Sequence, residues 1–397
     1  MRVLTIGNIH PPHHLGGGYE LDWAAGVAAL QAAGHDVRVL TTDLRRPDVI
    51  EPDPPWVFRD LRWYWHEHEF PRRTLGERLS IERHNAAVVA TQLRDFAPEL
   101  VSWWSMGGMS LAQIEQVRRA GVPALGVVYD DWMVYGPRVD AWQAMWSRAA
   151  LRPVASLASA AAGARAPVRL GPAARWLFCS ESVRAAARGA VPELVDTGLL
   201  APGLDEVFLA PAPPSEWRGV LLLPGRLDAR KGIATAIAAL AHMPGARLQL
   251  VGAGDDSYAA ELQALAERLG VAPRRERLPA RPRAELAAAY AEADVVLFPV
   301  EWAEPFGLVP LEAMGVGRPV VATGRGGSGE YLRDGENCLL HEPGDARALA
   351  AAVQRLAADP GLRERLRNGG FETAPAFARS KWDARLVAEH VERGRAA

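Results

Sequence analysis

The sequence predicts an α/β protein built of two doubly wound, Rossmann-like domains facing each other across a cleft. Three observations lead there. Short apolar runs alternate with helical patterns along the chain, as in parallel sheets joined by helical crossovers. A stretch dense in proline and turn residues, Pro202 to Trp217, divides the chain near its middle. The 397 residues, 49% of them hydrophobic, suffice for two cores of ordinary size.

The amino end reads β-α-β. Arg2 to Gly7 is a short apolar strand, followed by a loop with Gly16, Gly17 and Gly18. Leu21, Ala24, Ala25, Ala28 and Ala32 then mark one helical face, and Gly34 is placed to end that helix before a strand at Val37 to Leu40. Further strands are expected at Leu100 to Trp104, Ala124 to Val128 and Trp176 to Cys179. A second series starts at Gly219 to Pro224 and continues at Leu248 to Val251, Val295 to Phe298, Pro319 to Ala322 and Cys338 to Leu340, with a helix at Ala284 to Glu292 among the connections. The expected domains are 1–210 and 211–376, with a final helix over 377–397 crossing back onto the first. Ligands of such sheets bind beyond the carboxyl ends of the strands, where the glycine-bearing loops lie.

Composition narrows the function. A formal net charge of -2 argues against nucleic-acid binding, which calls for a basic excess. The two cysteines, Cys179 and Cys338, lie far apart without a CxxC and read as buried small hydrophobes of a reducing cytoplasm. The amino terminus is too short an apolar run for a signal peptide, and no stretch approaches the ~20 apolar residues of a membrane span. Almost every basic residue is arginine, so the lysine kept at position 231 suggests a compact, mobile point charge is wanted there.

Two segments carry the chemistry. Gly225-Arg226-Leu227-Asp228-Ala229-Arg230-Lys231-Gly232 follows an apolar strand and offers two cations on a glycine loop, Arg226 as a planar fork and Lys231 as a point charge. These suit the oxygens of a diphosphate. Glu304-Pro305-Phe306-Gly307-Leu308-Val309-Pro310-Leu311-Glu312 places one carboxylate at a loop end and another in the first turn of a helix that Pro310 opens. The amides of Phe306, Gly307 and Leu308 form an anion-friendly helix start. Glu312 can accept hydrogen bonds from ribose hydroxyls, and Glu304 is better placed for a transferred sugar. Together the segments describe a site for a sugar carried on a nucleotide diphosphate. As a glycosidase pair the two glutamates would flank one bond across a site, whereas here both emerge from one loop-helix unit beside diphosphate-binding elements, which argues against hydrolysis.

On these motifs the chain resembles a GT-B glycosyltransferase of family 4, the retaining type, most specifically from Gly219 to Pro343. The matching residues are Gly225-Arg226-Leu227 with Lys231-Gly232, Ala293-Asp294-Val295, the 304–314 segment, Gly317 to Ala322 and Asp334-Gly335, with Gly17-Gly18-Tyr19-Glu20 at the amino end. The resemblance implies that Arg226 and Lys231 hold the donor diphosphate and that Gly18, with Gly17, touches the distal phosphate. It implies Glu304 at the donor sugar, Pro305 and the Phe306, Gly307 and Leu308 amides beside it, Glu312 at the ribose and Arg281 near the nucleobase. It implies no metal and no cofactor beyond the nucleotide-sugar co-substrate, with the anomeric configuration kept. Many relatives carry a His-Asp pair after the fourth strand, the histidine near the donor sugar; here Val128-Tyr129-Asp130-Asp131-Trp132 stands there, with Tyr129 in place of the histidine. Tyr129 and Asp130 are therefore candidate catalytic residues, and Asp130 and Asp131 candidates for the acceptor side.

Other features leave alternatives open. His10, His13 and His14 lack metal-ligand spacing and read as exposed loop or acceptor-pocket residues; His66 and His68 read as a solvated segment. The tryptophans crowd the first half, including Trp63, Trp65, Trp103, Trp104, Trp132, Trp142 and Trp146, as core or as flat rings for an acceptor. Arg59, Arg62, Arg72 and Arg73 beside Trp63 and Trp65 offer a peripheral contact with the inner face of an anionic membrane. A sugar-nucleotide epimerase or hydrolase and a non-catalytic nucleotide-sugar binder are the competing functions. A nicotinamide oxidoreductase is the poorest, since Gly252-Ala253-Gly254 lacks the third glycine of the fingerprint. The expected partners are a UDP-, GDP- or ADP-type donor and a hydroxyl acceptor (natural product, glycan or lipid-linked sugar), and the expected assembly is a monomer or homodimer.

Overall fold

The structure, a computed structural model, describes all residues except 14–17, 66–68, 147–151, 192, 215 and 396–397, and within the helix at 152–162 it leaves the side chains of 152–156 undescribed. The chain divides into two compact units, one of residues 1–201 with 383–397 and the other of residues 202–382.

The first unit is a seven-stranded parallel sheet: β1 (Arg2–Ile6), β2 (Asp36–Thr42), β3 (Val57–Leu61), β4 (Leu100–Trp103), β5 (Ala124–Val128), β6 (Arg175–Phe178) and β7 (Thr197–Leu199). Their order is β3-β2-β1-β4-β5-β6-β7. β1 is central because it pairs on both sides, Val3 opposite Val37 of β2 and Leu100 of β4. Covered on both faces, β4 and β5 are buried at every position, as their unbroken apolar sequences require. The helix Gly18–Ala32 follows β1, and Gly34 just beyond it has φ 81°, a value that suits glycine alone.

The closing part of the last helix, Arg379–Arg395, packs on this sheet through residues 383–395. His390 is fully buried; its Nδ1 donates to the Leu386 carbonyl at 2.8 Å, so its Nε2 accepts from the Ser102 hydroxyl of β4 at 2.9 Å. Arg175 bridges Glu389 and Asp196, and Arg393 donates to the Ala124 carbonyl.

The second unit repeats the plan with six parallel strands: β8 (Val220–Pro224), β9 (Arg247–Val251), β10 (Arg275–Leu278), β11 (Val295–Phe298), β12 (Val320–Ala322) and β13 (Leu339–Leu340), ordered β10-β9-β8-β11-β12-β13. Buried Asp294 clamps the start of β8 to β11, its carboxylate accepting from the Val220 amide at 2.7 Å and the Arg218 amide at 2.9 Å. The expected linker belongs to this unit: Leu204 bridges Ala378, and Asp205 holds Arg379 and Arg283. In both units the strand order reverses beside the first strand, which makes the carboxyl ends of β1 and β4, and of β8 and β11, the natural places for a ligand.

Candidate functional site

At the switch point of the second unit, two loops are tied together. The loop after β8 turns at Gly225 (φ 138°) and runs beside Gly252 to Gly254, Leu227 donating to the Ala253 carbonyl at 2.9 Å. The Gly252-Ala253-Gly254 turn is thus a strut for this loop. A short 3₁₀ turn at Ala229–Lys231 starts at Asp228, whose carboxylate accepts from the Arg230 amide and pairs with its guanidinium. That partner holds the Asp228 carboxyl down at about 2.

Gly232 (φ 68°) then opens the helix Ile233–Leu240, and a Cβ there would fall on the Pro299 carbonyl oxygen. Glycine is required because the loop after β11 passes so close. Glu301 donates its amide to the Arg230 carbonyl at 2.8 Å, sealing the two loops together.

Across that seam Lys231 Nζ lies 2.7 Å from Glu304 Oε2. The same oxygen accepts from Trp302 Nε1, also at 2.7 Å. The Trp302 ring lies beneath Arg230, its guanidinium 4.3 Å from the ring centroid. Glu304 is therefore fixed by one cation and one neutral donor. An ammonium carries three protons, so Lys231 retains two for another anion. Arg226 is exposed, and its side chain makes no hydrogen bond or ion pair among the described residues. Arg281 is half-buried on the loop after β10.

The 304–312 segment is pinned from below. Glu304 bridges Gly326, and its carbonyl accepts from the Gly327 amide at 2.8 Å. Phe306 is buried against Tyr331 and Phe377, with ring centroids 5.3 and 5.5 Å away. The Tyr331 hydroxyl donates to the Gly307 carbonyl. Gly307 (φ 87°) precedes the helix Leu308–Val316, and among the described residues no side chain caps it. Its first amides therefore keep their hydrogen-bonding capacity. Pro305 lies half-buried between Glu304 and Phe306.

Glu312 corrects the sequence expectation. The helix starts at Leu308, so Glu312 lies beyond its first turn and is 8% exposed. Its Oε2 accepts from the Tyr290 hydroxyl at 2.6 Å, and burial raises its carboxyl above the usual range. Trp302, which sequence reasoning missed, is the hydrogen-bonding neighbour of Glu304. Its signal was an aromatic donor two positions before the acid.

In the first unit the candidates gather at the carboxyl ends of β1, β4 and β5. Gly18 is exposed at a helix start, and Gly17 lies outside the described residues. Tyr19 donates to Asn8 Oδ1 at 2.6 Å, and Asn8 Nδ2 reaches the Gly107 carbonyl at 3.0 Å, joining the loops after β1 and β4. The Tyr129 ring stacks over Trp104, centroids 6.3 Å apart. Asp130 accepts from the Trp132 amide at 3.3 Å and from the Tyr135 hydroxyl at 3.2 Å, and burial pushes its carboxyl up to about 6. Asp131 is exposed at the start of the helix Trp132–Val139.

Several secondary expectations change. His10 and His13 are buried rather than exposed: His10 meets Trp23 edge-on at 4.8 Å, and His13 accepts from the Arg46 amide at 3.0 Å. His14, His66 and His68 lie outside the described residues. Arg59 cannot rest on a membrane, because its side chain is buried and pairs with Asp53 at 2.9 Å. Trp103, Trp104, Trp132 and Trp142 are core, whereas Trp63 and Trp65 are half-exposed. Among the described residues no helix is long and apolar enough to cross a membrane.

Comparison with known proteins bears on both units. Residues 211–373 match the family described as glycosyl transferases group 1. The lipopolysaccharide core biosynthesis glycosyltransferase LpsE of Rhizobium meliloti is 38% identical over 154 residues, covering 39% of this chain and 44% of that protein. A D-inositol 3-phosphate glycosyltransferase of Segniliparus rotundus is 35% identical over 200 residues, 49% of this chain and 44% of its own. The matched part thus spans under half the length of these relatives.

The fold is shared more widely. A sucrose-phosphate synthase from Thermosynechococcus elongatus superposes with TM-score 0.74 at 24% identity over 100% of both chains. Anabaena HepE, solved with UDP and glucose, superposes with TM-score 0.69 at 21% identity, covering 98% and 99%. The resemblance to GT-B glycosyltransferases is borne out: the fold is theirs, and residues 211–373 match the group 1 glycosyl transferases.

Proposed function

We propose that the protein transfers a sugar from a nucleotide-diphosphate sugar to a hydroxyl of an acceptor, keeping the anomeric configuration and needing no metal. The observation that carries this reading is the Lys231–Glu304–Trp302 cluster, which joins the loops after β8 and β11 at the switch point, the first of these loops also carrying exposed Arg226. The likeness to proteins named glycosyltransferases, and to a structure solved with UDP and glucose, supports it.

In this reading Arg226 and the two spare protons of Lys231 bind the diphosphate, and the uncapped amides at Gly307 and Leu308 add partial positive charge. Glu304, already fixed by two donors, receives the hydroxyls of the donor sugar. Glu312 and Arg281 face the nucleoside. The bond from the anomeric carbon to the phosphate oxygen breaks, and the electron pair leaves with the diphosphate. The acceptor oxygen bonds to the same face of that carbon, and its proton passes to the departing phosphate oxygen. Arg226 and Lys231 stabilise the charge that grows there, a role a metal fills elsewhere. Tyr129, at the position of the relatives' histidine, meets a hydroxyl of the donor sugar, and Asp130 and Asp131 serve the acceptor side, where a partly protonated Asp130 can donate as well as accept.

The test is incubation with UDP-, GDP- and ADP-sugars, with and without a broad acceptor panel, following nucleoside diphosphate release and product configuration by NMR. Acceptor-dependent release with retention is expected, nearly abolished in Glu304→Ala. Rapid epimerisation or release without acceptor favours the competing enzyme readings and overturns this one.

A further inference from the structure

Beyond β3 the first unit holds a hollow of about 380 Å³, lined by Asp43, Arg62, Trp63, Trp65, Arg73 and Glu77, with Ser80 and Ile81. Its size is that of a small-molecule site. The two indoles lie with centroids 4.7 Å apart, tilted by 42°. Arg73 Nε is shielded from solvent without a hydrogen-bond partner among the described residues.

The segment that carries the indoles is anchored with unusual care. Tyr64, between them, points the opposite way and is buried, its hydroxyl 2.5 Å from Glu82 Oε1 and its amide 2.8 Å from the Gly108 carbonyl. Buried Asn85 grips Arg62 at both backbone groups, accepting from its amide at 2.8 Å and donating to its carbonyl at 2.7 Å. Ser110 holds the other Glu82 oxygen at 2.7 Å. Gly108 (φ 80°) makes room, since a Cβ there would stand 3.0 Å from Trp65 Cβ. Three buried polar groups thus fix a platform whose outer face is two half-exposed rings. A core needs no such arrangement, and a binding site does.

The platform borders the candidate acceptor side. Gly107, next to Gly108 in the loop after β4, is approached so closely by the Tyr135 hydroxyl that a side chain there would overlap it, and that hydroxyl bonds Asp130. We propose that the hollow binds a carbohydrate ring of the acceptor, stacked on Trp63 and Trp65 with hydroxyls met by Arg62, Arg73 and Asp43. This rests on the glycosyl-transfer reading. The chemistry favours a sugar over a membrane surface: the site is concave, and Asp43 and Glu77 balance Arg62 and Arg73. A neutral, hydroxyl-rich ring with apolar faces fits donors, acceptors and flat indoles together.

Saturation-transfer NMR on the full chain tests this, using methyl glycosides of common neutral hexoses together with myo-inositol as probes. Thermal shift with UDP, GDP and ADP runs in parallel. Saturation of ring protons is expected for at least one probe, falling roughly tenfold in the Trp63→Ala/Trp65→Ala double variant. Trp63→Phe should keep part of it, and the nucleotide shift should persist in both variants. Signal undiminished in the double variant overturns the proposal. So does absence of any saturation while a nucleotide shift is present, or tryptophan-dependent sedimentation with phosphatidylglycerol vesicles in place of sugar binding. Absence of every nucleotide shift in the unaltered protein overturns the functional reading instead.

Discussion

Replacing Trp302 by Phe isolates one bond at the centre of the site. The phenyl ring keeps a surface beneath Arg230, and the Lys231–Glu304 pair at 2.7 Å is untouched. What disappears is the indole N–H that meets Glu304 Oε2 at 2.7 Å. A hydrogen bond to a charged group contributes about 1.5–3 kcal/mol. The Glu304 side chain is 12% exposed, so water replaces part of the lost donor and the lower end applies. A loss of ~1.5 kcal/mol corresponds to about tenfold in affinity. If Glu304 holds the donor sugar, that loss falls on the sugar nucleotide alone. Calorimetric titration should show binding of the nucleotide sugar weakened roughly 5–20-fold, with the bare nucleoside diphosphate within about twofold. Equal weakening of both ligands, or of neither, refutes the assignment of Glu304 to the sugar.

Gly232→Ala must put a left-handed alanine against the Pro299 carbonyl; about 1 kcal/mol of strain and about 1–3 for the overlap lower the melting temperature of the second unit by roughly 5–15 °C in calorimetry. Burial holds His390 down at about 4 from 6.5, so the unfolded chain takes up its proton first as pH falls. His390 thus contributes stability above pH 6.5 that is lost as pH falls to about 4, about 3 kcal/mol in all, and denaturant unfolding of His390→Gln should lack that fall. Glu82 behaves oppositely: burial, then nearby Asp140, raise its carboxyl, so the folded state keeps a proton the unfolded chain has released. Its stabilising contribution is full below the usual carboxylate range and is lost as pH rises through neutrality, a slope that Glu82→Gln should remove in the same titration.

The central strands were legible in the sequence because a parallel strand covered on both faces needs an unbroken apolar run, as in Val220 to Pro224. The strands the pattern did not reveal are all at sheet edges. Val57–Leu61 carries Arg59 and Asp60, Arg275–Leu278 is charged at three of four positions, and Thr197–Leu199 is short. An edge has one neighbour and less cover, so its sequence is not forced to be apolar. The donor-side motif was legible by spacing, since glycine loops after strands declare where backbone must come close. Its internal wiring was not. Nothing in one dimension shows that Lys231 and Glu304, assigned separately to phosphate and sugar, pair directly, or that Tyr290 holds one Glu312 oxygen. The anchoring of Trp63 and Trp65 depends on Glu82, Asn85 and Gly108, which meet them only in the fold.

The proposed transfer depends on one cluster in the second unit gripping a nucleotide diphosphate. Isothermal titration of UDP, GDP and ADP into the unaltered protein and into the Arg226→Ala/Lys231→Ala double variant addresses it without knowledge of the acceptor. Each lost charge-assisted contact is worth about 1.5–3 kcal/mol, so at least one nucleotide should bind, with affinity falling on the order of a hundredfold or more in the double variant. No binding by any of the three, or binding undiminished without both cations, contradicts it.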